Sequence, residues 1–130
     1  MRNERRIRMD KKNLLTLAHE MTQYRTTDAS NENLAKFYEF AKTYLTDMTR
    51  RKVESTDEFF EMLAYSRTHS KDVMNRWGIG SQNKKGNAAV GLEQWCNYIL
   101  KFNAKIRSLS IPELTYLFAC CSHITKFNSL

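Results

Sequence analysis

Three cysteines and three histidines are the residues best suited to nucleophilic or metal chemistry, and their spacing supports neither. Cys120 and His123 stand three apart, on one face of a helix, with Cys121 beside them. Such a pair supplies two ligands where zinc takes three or four, and neither an HExxH nor a paired CxxC spacing is present. A Cys–His nucleophile pair has only residue type behind it. His69 and His123 fall next to apolar stripes and are expected to be half-buried polar residues. Adjacent Cys120 and Cys121 bridge poorly, and Cys96 makes the number odd. The three therefore read as small core residues of a reducing, cytoplasmic compartment. Segment 78–87, GIGSQNKKGN, offers lysines on a glycine tether but lacks the GKS or GKT ending of a P-loop and any strand before it. These patterns predict no catalytic centre, no metal and no cofactor.

Phosphate neutralisation is the chemistry that the remaining pattern does suit. The formal charge is +7, from 21 Lys and Arg against 14 Asp and Glu. More than half of that surplus lies in residues 1–12, a basic arm in which Arg2, Arg5, Arg6, Arg8, Lys11 and Lys12 face only Glu4 and Asp10. Further cations gather at Arg50, Arg51 and Lys52, at Arg67 and Lys71, at Lys84 and Lys85, and at Lys101 and Lys105. Arg67 and Lys71, like Lys101 and Lys105, are four apart, which places each pair on one helical ridge if the helix is continuous. Ridges of this kind contact phosphates rather than read bases. Four to six such contacts would give a log–log salt slope of about −3 to −4 on a single strand. The aromatic residues mostly keep to apolar stripes, so no exposed base-stacking platform is expected. A solvated, salt-bridged surface is the plain alternative for the same charges.

The elements that must carry these residues are helical. Leu14, Ala18 and Met21 recur at helical spacing, with Leu15, Leu17 and Tyr24 widening the stripe. Ser30 or Asn31 caps a long second helix, about 31–53, whose apolar face runs through Leu34, Phe37, Tyr38, Ala41, Tyr44, Leu45 and Met48. Ser55 with Glu58 reads as a capping box for a third helix, whose buried face continues through Met62, Leu63, Tyr65, His69, Val73, Met74 and Trp77. Residues 78–87 form a flexible loop. A fourth helix follows from about 88 to 107, and Ser110 with Glu113 boxes the start of the last. Only three valines occur, too few for a sheet. The expectation is an all-α, compact bundle of about five helices: a basic arm at 1–12 and a single domain at 13–130. No apolar run approaches the ~20 residues that span a bilayer, and the charged opening lacks the apolar region of a secretory signal.

In its helical architecture over residues 10–130, and in the aromatic-rich GLEQWCNYILKF and SIPELTYLFACCSHITKF, the chain resembles the small subunit of class 1 CRISPR effector (Cascade-like) complexes. The resemblance implies a non-catalytic role. Copies would pack along an RNA-guided assembly, contact its other subunits, and steady the guide–target duplex or displaced strand by charge. The basic arm departs from that compact picture. The candidate nucleic-acid contacts, chosen from charge clustering, are Arg50, Arg51, Lys52, Arg67, Lys71, Lys84, Lys85, Lys101 and Lys105. Two other classes fit the same sequence: a helical protein-interaction module such as a phage-type inhibitor or adaptor, and a stand-alone basic DNA-binding protein.

Overall fold

Asp10 and Ser30 each turn a side-chain oxygen onto the backbone N–H three residues ahead, at 2.9 and 3.1 Å, and so begin helices α1 (Lys11–Met21) and α2 (Asn31–Arg50). The structure, a computed structural model, describes residues 10–23, 29–78 and 88–128. Most of the basic arm, and the loop beyond Gly78, thus lie outside the described residues; Lys11 and Lys12 form the first turn of α1. The chain continues through α3 (Asp57–Thr68), α4 (Ser70–Trp77), α5 (Ala88–Lys101), α6 (Asn103–Ile106) and α7 (Ile111–Asn128). Among the described residues no strand occurs. The all-α expectation holds, with seven helices among the described residues where about five were expected.

Two breaks account for the difference. The third expected helix divides at His69, whose φ −129° and ψ 41° leave the helical region. Thr68-His69-Ser70 are weak helix formers, and the Thr68 hydroxyl and His69 Nδ1 both lie within bonding distance of the Tyr65 carbonyl (3.3 and 3.1 Å). The fourth divides at Phe102, whose N–H bonds to the Ile99 carbonyl three residues back instead of four. Asn103, another weak helix former, instead accepts from Arg107 Nε at 2.7 Å.

One of the two expected capping boxes forms. Ser110 Oγ accepts from Glu113 N–H (3.2 Å) while Glu113 accepts from Ser110 N–H (2.8 Å). At the other site Thr56, not Ser55, is the cap, and the Thr56 side chain makes no capping hydrogen bond. Ser55 accepts only from Asp57 N–H, and Glu58 is drawn away by Tyr44 and Arg51.

The most extensive helix pairing is α2 against α7, and α1 packs on α7 to complete one layer. Helices α3 and α4 pack on α5 to form a second. Aromatic side chains join the layers. Trp95 of α5 meets Phe37 and, edge-on at 5.2 Å, Tyr38 of α2; Phe59 of α3 meets Phe118 of α7 edge-on at 5.4 Å. Tyr38 donates its hydroxyl to the Met21 carbonyl (3.2 Å), satisfying an acceptor at the buried end of α1. Trp95 Nε1 is buried with no hydrogen-bond partner among the described residues, a cost of about 1–3 kcal/mol that the burial of the indole ring offsets.

Ser110→Ala should therefore cost about 1 kcal/mol in urea unfolding, because it removes half of a reciprocal cap. Ser55→Ala should stay within about 0.5 kcal/mol, although the two sequences look alike.

Candidate nucleic-acid interface

The candidate cations stand at the ends of helices. Arg50 closes α2, Arg51 is its C-cap and Lys52 follows. Arg67 lies in the last turn of α3, Lys71 in the first turn of α4, Lys101 at the end of α5 and Lys105 in α6. Lys84 and Lys85 lie outside the described residues. The breaks at His69 and Phe102 fall inside the two expected ridges, so Arg67 and Lys71 belong to successive helices, as do Lys101 and Lys105.

Ion pairing divides these seven described residues into two groups. Arg50 and Arg51 both pair with Asp47 at 2.9 Å, and Arg51 also reaches Glu58 at 2.7 Å. Glu58 accepts in addition from the Tyr44 hydroxyl (2.9 Å). This corner ties the C-terminus of α2 to the first turn of α3. Hydrogen bonds from Arg50 and Arg51 hold the Asp47 carboxyl below its ordinary range, and those from Arg51 and Tyr44 do the same for Glu58. Burial, then the bond to Glu58, pushes the Tyr44 phenol up to about 12. Lys105 pairs with Glu20 of α1 at 3.2 Å. Lys52, Arg67, Lys71 and Lys101 are exposed and have no ion-pair partner among the described residues.

Lys52 is held in an unusual backbone state. Its φ is +61°, the left-handed region that glycine favours, and it is the only non-glycine residue there among those described. The Val53 N–H bonds to the Met48 carbonyl and the Lys52 N–H to that of Thr49, the two closures of a Schellman motif, each at 3.0 Å. A lysine thus occupies the position where helices usually place glycine. Gly78, which ends α4 at φ +65°, shows the usual choice.

The α3–α4 break gathers residues that the sequence pattern hid. Tyr65 and His69, expected on the buried face, are exposed, and their rings stack at 4.0 Å and 5°. The Arg76 guanidinium lies over the Tyr65 ring at 5.7 Å, donates to its hydroxyl (3.1 Å) and pairs with Asp72 at 2.6 Å. The spacing of Tyr65 and His69, four apart before three weak helix formers, was the available signal. His123 is likewise exposed rather than half-buried, and Leu15 is exposed rather than part of the α1 stripe.

Other chemistry has little geometric support. Cys96 and Cys121 are buried, which pushes the Cys96 thiol up to about 12 and Cys121 in the same direction. Among the described residues no three His, Cys, Asp or Glu come together as metal ligands, and no helix is long and apolar enough to cross a membrane. A cleft of about 370 Å³ lies between α2, α4 and the end of α7, floored by Ala35 and the stacked Phe40 and Trp77 and rimmed by charges of both signs. No family model, curated protein or solved structure matches the chain.

Lys52→Gly should raise stability by about 0.5–1 kcal/mol, the relieved left-handed strain less the entropy glycine adds to the unfolded chain, as read by urea melts. The corner makes a second prediction. Asp47 and Glu58 ionise more readily folded than unfolded, so their contribution is present above the ordinary carboxylate range and disappears as pH falls through and below it. Glu58→Gln should accordingly melt below the parent protein at neutral pH and converge with it below about pH 4.

Proposed function

We propose that this chain is a non-catalytic, nucleic-acid-binding small subunit of an RNA-guided CRISPR effector complex. In this role it neutralises phosphates of the guide–target duplex or displaced strand, while base pairing supplies sequence choice. The observation that carries the reading is the exposure of Lys52, Arg67, Lys71 and Lys101 without carboxylate partners among the described residues, on a chain of net charge +7. A surface charged only for solubility would gain nothing from holding Lys52 at a strained φ where glycine fits without strain. Arg50, Arg51 and Lys105 serve the fold first, through Asp47, Glu58 and Glu20, and reach phosphate only at the expense of those pairs. Lys84 and Lys85 remain in the proposal on charge alone. Other effector subunits and further copies of the chain are the protein partners this role requires, in the cytoplasm, where free thiols such as Cys96, Cys120 and Cys121 persist.

The Phe40–Trp77 cleft favours the second reading, a helical interaction module that receives an apolar side chain of another protein.

Each reversal to Glu at Lys52, Arg67, Lys71 or Lys101 should weaken binding across sequences and flatten the log–log salt slope by at least about 0.7 per lost single-strand contact. Tagged purification from the native cell should recover larger partner proteins together with short RNAs of uniform ends. Unchanged binding after all four reversals, or a single protein partner with no RNA, overturns the proposal and leaves the interaction module.

A further inference from the structure

The geometry points to a base-stacking site for single-stranded nucleic acid at the α3–α4 break, with the Tyr65–His69 ring pair as its platform. The inference rests on the phosphate-binding reading above and adds to it the kind of strand bound. Tyr65 is 42% exposed, and the exposed imidazole of His69 lies parallel to it at 4.0 Å. Both rings are held before any ligand arrives. His69 Nδ1 lies 2.9 Å from the Thr68 hydroxyl and 3.1 Å from the Tyr65 carbonyl, while the Tyr65 hydroxyl is gripped by Arg76 and Asp72. A fixed platform loses little side-chain freedom when a planar ligand extends the stack.

Charge selects the ligand. Arg67 and Lys71 flank His69 in the chain without ion-pair partners among the described residues, and Asp72 is neutralised by Arg76 at 2.6 Å. Two further carboxylates bear on this end of the helices, exposed Glu61 one turn before Tyr65 on α3 and Glu93 of α5, which with Arg67 acts on Cys96, so a strand would run toward Lys71 and away from them. A flat ring joined to a phosphate at every unit matches this arrangement. A nucleobase offers such a face only when it is unpaired, because in a duplex both faces are covered by its neighbours. The sugar does not enter the stack, so RNA and DNA strands share the required chemistry.

The test uses the full chain and fluorescein-labelled oligomers of about 15 nucleotides: oligo(dT), oligo(U) and a mixed-sequence DNA duplex. A 2-aminopurine placed in the single strand reports stacking through quenching. His69→Asn keeps a hydrogen-bonding side chain at the break and removes the ring. It should weaken both single strands about tenfold, relieve the quenching, and leave duplex affinity and the salt slope unchanged. His69→Trp should tighten single-strand binding, a gain that misfolding does not produce. Equal losses on single strand and duplex, or no loss with His69→Asn and Tyr65→Leu while Arg67→Glu still weakens binding, would overturn the platform and leave phosphate binding standing. Failure of the unaltered chain to bind any of the oligomers would overturn both.

Discussion

The aromatic seam between the two helical layers is the constraint on which the rest of the molecule depends. Trp95, Phe37, Tyr38, Phe59 and Phe118 are all fully or almost fully buried and meet at tilted or edge-on angles. Rings of this size set the separation of α2, α5 and α7, and the loss of one would leave a void that neighbouring helices fill only in part. The seam also explains a tolerated defect. Trp95 leaves its indole N–H without an acceptor among the described residues, a cost that the ring's buried volume and contacts with Phe37 and Tyr38 offset. Tyr38, in the same seam, places its hydroxyl where α1 ends and so links the packing of rings to the termination of a helix.

Helix ends carry the charge. Acidic residues occupy the first turns of α2, α3, α4 and α7, and a basic residue occupies the last turn of every helix from α2 to α7. The macrodipole favours this placement by about 0.3–1 kcal/mol per exposed residue, so many of the cations have a folding role whatever else they do. For two of the cations the dipole gives no such account. Lys52 lies beyond the helix in a conformation that disfavours it, and Lys71 is in the first turn of α4, where the dipole opposes a cation. Arg51, in contrast, is accounted for by Asp47 and Glu58.

Breaks in the helices convert linear charge patterns into local corners. The turn at His69 follows a stacked aromatic pair and divides Arg67 from Lys71, one at the end of α3 and the other at the start of α4. The Phe102 break places Lys105 against Glu20 of α1, with its ammonium over the Phe102 ring at 5.9 Å. Two sequence pairs of identical spacing therefore take different roles. One has no carboxylate partner among the described residues, while the other contributes Lys105 to an ion pair between α6 and α1.

The sequence by itself determined the helical class, most of the core stripes, the cap at Ser110 and, to within one residue, that at Ser30, because each depends on residues within a few positions of one another. Leu34, Phe37, Tyr38 and Leu45 are buried as their periodicity requires. The local pattern did not determine which of two similar capping boxes would form. Glu58 had long-range partners in Tyr44 and Arg51, and these outcompeted the backbone of α3. Nor did it decide which lysines and arginines stayed without partners, since that depends on carboxylates brought near by tertiary packing, as Glu20 is to Lys105 and Asp57 to Arg107. The exposed Tyr65–His69 stack has the same origin: the apolar pattern assigned both rings to the core, but packing buries Phe59, Phe60, Leu63 and Ser66 of α3, which leaves Tyr65 on the outer face with His69 one turn on.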